Sequence, residues 1–157
     1  MSDLTFSLSG GCFNCRVAAV IVRDGKILAM QDDRSPYWYL PGGRVRLGET
    51  AQQALGRELE EELGAAGELL RPLWLNQGFF TEEVSGKRFH ELCLYFLVRL
   101  SAHQAPDGEF VRREGERLHR FCWLSFEQLE REYFYPLFLK KEIFRLPEGF
   151  TLRTEYE

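Results

Sequence analysis

The sequence predicts an α/β fold in which a mixed β-sheet lies between helical layers. Three observations indicate this class. Apolar runs of strand length alternate with two or three amphipathic segments, turn signals separate them, and no internal repeat or low-complexity tract interrupts the 157 residues. A chain of this length is typical of one domain, so we expect a single domain over residues 1–157.

The first third of the chain predicts a hairpin, a short strand and a helix. Strands are expected over residues 17–22 and 26–31, around an Asp24-Gly25 turn. Residues 35–43 (SPYWYLPGG) predict a short strand that ends at a Pro-Gly-Gly breaker. Thr50 with Gln53 forms a capping box and Gly64 is a C-terminal cap, so a helix is expected between them.

The second half predicts two long strands, a loop, a further strand and two helices. Residues 69–81 and 87–100 are expected to pair as strands. Residues 105–116 predict a charged loop and residues 117–126 a strand. A short helix is expected over residues 125–132, capped by Ser125 and Gln128, and an amphipathic helix over residues 135–146, with Pro136 near its first turn.

Composition excludes some partners. A net charge of −4 argues against nucleic acid held by a basic surface. No apolar run approaches the roughly 20 residues of a membrane span. The N-terminus carries Asp3 in place of a basic signal-peptide segment. We therefore expect a cytoplasmic protein with neither a membrane nor a nucleic-acid partner.

The four cysteines predict free thiols. Cys12 and Cys15 form a C-x-x-C, while Cys93 and Cys122 lie inside apolar runs. A zinc site needs a second ligand pair, and a redox C-x-x-C opens a helix, whereas this one precedes a strand. A redox or zinc module built on Cys12 and Cys15 stays open as an alternative.

The predicted helix carries an unusual concentration of carboxylates. At 100° per residue, Glu58, Glu61 and Glu62 share an arc of about 100° beside the apolar stripe, whereas Glu60 points toward solvent. Carboxylates so close together need positive charge. Arg57 supplies one, and a hard divalent cation, Mg²⁺ or Mn²⁺, would supply more. The alternative, a solvated acidic face, explains Glu60 but not the small residues beside the other three.

This segment resembles the signature of the Nudix hydrolases. The signature is Gx5Ex7REUxEExGU, in which U is a bulky aliphatic residue. The chain matches it with Gly43, Glu49 six positions later, and RELEEELGA after a further seven residues. The one departure is Ala65, which replaces the last aliphatic residue. The resemblance implies an α/β/α sandwich with a mixed sheet. It also implies an enzyme that hydrolyses the pyrophosphate bond of a nucleoside diphosphate derivative.

The resemblance assigns roles to the signature residues. Four of them would bind Mg²⁺ or Mn²⁺: Gly43, Glu58, Glu61 and Glu62. Arg57 would orient a signature glutamate, Glu49 or Glu61. We favour Glu61 as the general base, with Glu114 as an extra ligand or an alternative base.

Other acidic candidates are weaker. Glu109 and Glu116 lie in the same loop as Glu114, and Glu91 qualifies if its strand runs beside the metal site. For each of these, and for Glu114, an exposed structural charge is an equal alternative. His90 is expected to be a structural strand residue.

Substrate contacts are expected from basic and aromatic side chains. Arginines can bind phosphates bidentately, and the candidates are Arg16, Arg44, Arg46 and Arg88. Arg44 is favoured because it adjoins the Gly42-Gly43 turn. Stacking on a base is expected from Trp38, Phe79 or Phe80.

The substrate remains open among nucleotide derivatives. The downstream markers of the ADP-ribose, diadenosine-polyphosphate, NADH and coenzyme-A branches are missing, which leaves nucleoside di- or triphosphates and nucleotide sugars. A non-catalytic Nudix-fold binding or regulatory protein is the alternative. Some family members form homodimers, but the sequence marks no interface.

Overall fold

Residues 2–157 are described by a computed structural model, and a single sheet organises them. Its strands are β1 (Thr5–Leu8), β2 (Gly11–Arg23), β3 (Lys26–Asp32), β4 (Gly42–Arg44), β5 (Glu68–Thr81), β6 (Arg88–Arg99), β7 (Phe110–Glu114), β8 (Arg117–Ser125) and β9 (Thr151–Tyr156). The helices are α1 (Ala51–Leu63), α2 (Phe126–Arg131) and α3 (Leu139–Glu142).

The sheet is mixed, as the sequence predicts. Its strand order is β7-β8-β3-β2-β6-β5-β9, with β1 and β4 also paired to β2. The pairs β2–β6 and β5–β9 are parallel, and the other pairs are antiparallel. Strand β2 is therefore the central strand, and it pairs with β4, which contains the Gly42-Gly43 turn beside α1.

Helices cover both faces of the sheet. Successive side chains of a strand point to opposite faces. Accordingly, Val17 and Ala19 pack in a cluster with α1, while Ala18 and Val20 pack in a second cluster with α2 and α3. This arrangement confirms the α/β/α layers. Among residues 2–157, no helix combines the length and the apolar character that crossing a bilayer requires.

The local turn and cap signals are confirmed. Asp24 and Gly25 have φ values of 51° and 72°, the two positive values that a type I′ hairpin requires. Both halves of the Thr50–Gln53 capping box form at the start of α1, and Gly64 ends the helix in the left-handed region at φ 73°. Ser125 caps α2 in the same way.

The loop predicted for residues 105–116 is wrong in part, because Phe110–Glu114 forms strand β7. It pairs with β8 through a two-residue turn at Gly115 and Glu116, with Gly115 at φ 60°. Charged side chains suit this position, since β7 is an edge strand of the sheet. The charged residues that indicated a loop therefore lie in an edge strand.

The last predicted helix is also largely wrong. Only Leu139–Glu142 is helical, instead of residues 135–146. The flanking turns are closed by bonds three residues apart, from Leu139 N–H to the Pro136 carbonyl and from Phe144 N–H to the Lys141 carbonyl. The α-helical ladder is therefore not sustained beyond one turn.

Three more elements differ from the prediction. Residues 35–43 form isolated bridges at Trp38 and Tyr39, followed by β4, instead of one short strand. Strands β1 and β9 were not expected from the sequence. Strand β9 joins β5 in parallel and forms the edge of the sheet opposite β7.

Candidate active site

The Gly42-Gly43 turn brings backbone directly against α1. Strand β4 pairs Gly42 with Ala18 and Gly43 with Val17. A Cβ on Gly43 would overlap the Glu58 carboxylate, and a Cβ on Gly42, at φ 150°, would overlap the Val17 carbonyl oxygen. Only glycine permits this approach.

Glu62 is the most buried of the signature carboxylates. It is 7% exposed, and its Oε1 accepts a 2.9 Å hydrogen bond from the Gly42 N–H. Burial raises the pKa of Glu62 well above its usual value, and the nearby Glu58 charge raises it further. This carboxylate is thus held at the turn in an environment that opposes its negative charge.

Glu58 and Glu61 lie on the same edge of α1 as Glu62. Burial raises the pKa of Glu58, and the Glu61 charge adds to this, while Arg57 acts in the opposite direction. Glu61 is more accessible, with 33% of its side chain exposed. Among residues 2–157, no three acidic, His or Cys side chains converge as a preformed metal cage. The three carboxylates are neighbours held apart by other contacts.

Arg57 makes most of those contacts. Its Nε and Nη2 donate to the two oxygens of Glu49 at 2.8 and 2.9 Å, a bidentate pair. Its Nη1 donates to Glu58 at 3.0 Å and to Glu61 at 3.4 Å, and Nη2 also donates to the Arg44 carbonyl at 3.0 Å. The hydrogen bonds from Arg57 lower the pKa of Glu49 to about 2. One guanidinium therefore links the glycine-rich loop to the carboxylate edge.

Two further arginines adjoin this edge. Arg46 lies 3.9 Å from Glu61 and 3.7 Å from Asp3. Arg44 and Arg46 each have a buried Nε without a hydrogen-bond partner among the described residues. Such unpaired donors are unusual in proteins. The expected phosphate contacts of Arg44 and Arg46 stay a prediction.

Glu114 lies across from α1 at the end of β7. Its charge contributes to the raised pKa of Glu62, and its Oε1 lies 3.0 Å from Nε2 of His119. His119 is 2% exposed, and its Nδ1 has no hydrogen-bond partner among the described residues. Glu109 instead pairs with Arg120 at 3.2 Å, and Glu116 is an exposed turn residue. Of the three loop glutamates, Glu114 is thus the one whose charge acts on a carboxylate of the α1 edge.

Sequence reasoning missed His119. The histidine follows Glu114 by five residues, across the Gly115 turn. Recognising that turn as a hairpin would have placed the two side chains together, whereas the predicted loop did not. The information that the sequence pattern lacked was the pairing register of β7 with β8, which brings Glu114 and His119 together.

The face of β2 opposite to α1 carries a partly buried ion pair. Arg16 Nε lies 3.9 Å from Glu91 Oε2, and Asn14 Nδ2 donates to the same oxygen at 3.4 Å. Burial raises the pKa of Glu91, and the Arg16 charge opposes this. The Arg16 charge also opposes the rise in the pKa of Glu58 and of Glu62, so Arg16 acts electrostatically on Glu91 and on the signature carboxylates.

Trp38 lies in a different environment from the carboxylate edge. It packs against the cluster under α2 and α3, with the Arg120 guanidinium 5.5 Å from its ring centroid. Its neighbour Tyr37 is closer to Arg16, whose charge partly offsets the burial that raises the pKa of Tyr37. Tyr37 also packs edge-on against Tyr135 at 5.0 Å. Tyr37, which sequence reasoning missed, is thus an aromatic residue within electrostatic reach of Arg16.

The C-x-x-C lies in an extended strand. Cys12 and Cys15 are both in β2, and all four cysteines are free. Three residues of strand span roughly 10 Å, and a disulfide needs Cα atoms within about 7 Å. This geometry is incompatible with a Cys12–Cys15 disulfide.

Comparison with known proteins identifies the family. A family model of the NUDIX domain matches residues 14–144. The chain belongs to the Nudix family. The CTP pyrophosphohydrolase of Escherichia coli is 42% identical over 127 residues, covering 77% of this chain and 80% of that protein. The ADP-ribose pyrophosphatase of Methanocaldococcus jannaschii is 28% identical over 96 residues, and the match spans 54% of its length. With such relatives, the chain is a Nudix hydrolase.

Solved structures agree with the fold. The solution structure of the E. coli ORF135 protein has a TM-score of 0.55 and 28% identity, over 88% of this chain and 94% of that one. An ADP-ribose pyrophosphatase from Streptococcus suis has a TM-score of 0.60 over 90% of this chain and 98% of that one. At 22% identity, the latter likeness supports the fold alone.

Proposed function

We propose that this Nudix hydrolase cleaves a pyrophosphate bond in a nucleoside diphosphate derivative, with a divalent cation held at the carboxylate edge of α1. The observation that carries the proposal is the burial of Glu58 and Glu62 beside each other and the raised pKa of both. Both carboxylates lie on one edge of α1, and burial raises the pKa of each. Such a pair is stabilised by added positive charge.

The donor set fits Mg²⁺ or Mn²⁺. Carboxylate oxygens of Glu58, Glu61 and Glu62 are hard ligands, and the absence of a side chain at Gly43 gives the Glu58 carboxylate room to lie against the turn. When bound, the cation would neutralise phosphate charge and lower the pKa of a water molecule. This choice of metal is a proposal about these residues.

Arg57 and Glu61 have the contacts that the proposed reaction needs. Arg57 holds Glu49, Glu58 and Glu61 in fixed positions, so it acts as a positioning residue. Glu61 is the most accessible of the three edge carboxylates and can take a proton from water as general base. Glu114 is the alternative base or extra ligand, oriented by His119.

The arginines around the edge suit a pyrophosphate. Arg44 and Arg46 each have a guanidinium Nε without a hydrogen-bond partner within residues 2–157, and Arg16 lies 3.9 Å from Glu91 and acts electrostatically on Glu58. Each can donate to phosphate oxygens. Trp38 as a stacking residue stays a prediction, and Tyr37 is better placed beside Arg16.

The substrate class follows from these contacts and from the relatives. Because the E. coli relative is a CTP pyrophosphohydrolase, we propose nucleoside triphosphates as the first substrates to examine, ahead of nucleoside diphosphates and nucleotide sugars. The partner is then a small molecule. The cytoplasmic location expected from the sequence stays a prediction.

A substrate panel with matched variants tests the proposal. CTP, other nucleoside triphosphates, UDP-glucose and ADP-ribose are incubated with Mg²⁺ or Mn²⁺, and released phosphate and nucleoside monophosphate are quantified. Glu61→Gln should reduce turnover by roughly 10³-fold or more, the range for loss of a general base and metal ligand. Glu60→Gln, which changes an exposed glutamate of the same helix, should keep the parent rate. Equal rates for these two variants would contradict the assignment of Glu61.

A further inference from the structure

Five aromatic rings from five neighbouring strands form one row across the sheet. Register pairs Phe6 with Phe13, Phe13 with His90, His90 with Phe79, and Phe79 with Tyr156. Neighbouring ring centroids are 5.1, 5.8, 4.6 and 5.0 Å apart. We call these five residues the aromatic row.

The aromatic row is exposed to an extent that a sheet face in water rarely is. Phe6 is 51% exposed and Tyr156 is 79% exposed. Leu8 and Leu152, which share this face by strand alternation, are 67% and 64% exposed. Open faces of antiparallel sheets normally carry polar side chains. A contiguous apolar patch of this kind marks an interaction surface.

The row lies on the face of the sheet opposite to Arg16 and Glu91. Phe13 and His90 directly precede Asn14 and Glu91, so they point to the opposite face of the sheet. Helix α1 covers β2 and β4 on the side of the row, and makes no comparable contact with β5 or β9. The patch therefore lies beside α1 and away from Arg16 and Glu91.

We propose that the aromatic row is the interface of a two-fold homodimer, in which Tyr156 of one copy enters the groove beside the row of the other. The groove has a volume of about 490 Å³ and is lined by Phe6, Phe13 and Phe79 among others. Tyr156 protrudes next to it. A protrusion and a groove on one surface are self-complementary, as a two-fold interface requires.

Charge favours a second copy over nucleic acid. Besides the ring of His90, the ionisable side chains that line the groove are Arg88 and Glu157, one of each sign. A polyanion is bound by several cations, while this patch is close to neutral and the whole chain carries −4. A like copy can pair Arg88 with Glu157 across the two-fold axis.

The four most exposed apolar side chains of this face supply about half of the area that a stable dimer interface buries per partner. At roughly 150–200 Å² per whole side chain, Phe6, Leu8, Leu152 and Tyr156 together expose about 400–500 Å². Stable interfaces bury about 800 Å² per partner. Half-buried members of the same face, Phe13, Phe79 and Leu92, and the exposed His90 and Arg88 supply further area. A dimer of moderate affinity follows.

Sedimentation equilibrium of the 157-residue chain tests the interface. The parent should approach twice the 18.4 kDa mass of one chain as its concentration rises to roughly 100 µM, a range suited to moderate interfaces. Phe6→Glu and Tyr156→Glu bury a charge in the interface and should each raise the dissociation constant by about 100-fold. Phe144→Glu, at a phenylalanine that is 52% exposed outside the row, is the matched control and should keep the parent's dissociation constant.

Side-chain footprinting keeps the test independent of whether the variants fold. Hydroxyl-radical labelling of Phe6 and Tyr156 in the parent should fall as the chain concentration rises, while labelling of Phe144 should not change. A parent that stays at the monomer mass, or labelling that is unchanged by concentration, would overturn the proposal. Equal weakening by the control would also overturn it. Protection of the row in dilute protein by a short single-stranded oligonucleotide would replace the second copy with nucleic acid.

Discussion

The ion pair between Arg57 and Glu49 allows a quantitative prediction. The Arg57 guanidinium donates two hydrogen bonds, of 2.8 and 2.9 Å, to a Glu49 carboxylate that is 16% exposed. These bonds, together with one from the Arg46 N–H and the Arg46 charge, lower the pKa of Glu49 from 4.5 to about 2, so the difference is an upper bound on what Arg57 contributes. At 1.36 kcal/mol per pKa unit, that difference corresponds to roughly 3.4 kcal/mol. Solvent screening reduces it, so we expect a coupling free energy of about 2 kcal/mol.

A double-mutant cycle measures this coupling. Four proteins are unfolded in urea at pH 7 without metal: the parent, Glu49→Gln, Arg57→Met and the double variant. Tryptophan fluorescence reports the unfolding. The lowered pKa of Glu49 means that its stabilisation is fully present above pH 4.5 and is lost as the pH falls through about 2. The coupling should therefore be constant between pH 6 and 8.

An exposed pair provides the control. Arg99 and Glu68 lie 2.6 Å apart, but their side chains are 64% and 60% exposed. Such surface pairs couple by about 0.5 kcal/mol or less. If the Glu49–Arg57 coupling does not exceed that of Glu68–Arg99, the view of Arg57 as the residue that fixes the signature loop is refuted.

Two further predictions concern stability. Gly42→Ala should lower the free energy of unfolding by about 3 kcal/mol, because a Cβ at Gly42 meets backbone atoms. Gly43→Ala should lower it by less, because a Cβ at Gly43 meets the movable end of the Glu58 side chain. Urea unfolding of both variants measures the difference. Burial and the Glu157 charge raise the pKa of Glu155 from 4.5 to about 7, so the cost of ionising it in the folded state builds up as the pH rises from 4.5 to 7 and is fully present above pH 7. After allowance for solvent exposure, Glu155→Gln should stabilise the fold by about 1 kcal/mol at pH 8 and have no effect at pH 4.5. Equal effects at both pH values would contradict the raised pKa of Glu155 as the cause.

The signature region was predictable because its signals are local. The capping box at Thr50, the left-handed cap at Gly64 and the period of the helix fix which side chains share an edge of α1. Glycine in the preceding turn indicates a close backbone approach. These features depend on residues a few positions apart, which a single sequence displays.

What the sequence could not supply is long-range pairing. Strand β9 pairs with β5 across about half the chain, and the ion pair of Arg16 with Glu91 depends on the parallel register of β2 and β6. The aromatic row likewise needs four separate registers to align. Short edge strands such as β7 carry charges that also suit loops, so local pattern alone misassigns them.

Binding of Mn²⁺ to the metal-free chain tests the central claim most directly. Free Mn²⁺ is counted by electron paramagnetic resonance during titration of the parent, Glu58→Gln, Glu62→Gln and Glu60→Gln. The carboxylate edge of α1 predicts that the parent and Glu60→Gln bind Mn²⁺ equally, and that Glu58→Gln and Glu62→Gln bind at least about tenfold more weakly. Binding that is the same in all four proteins, or absent from the folded parent, would contradict it.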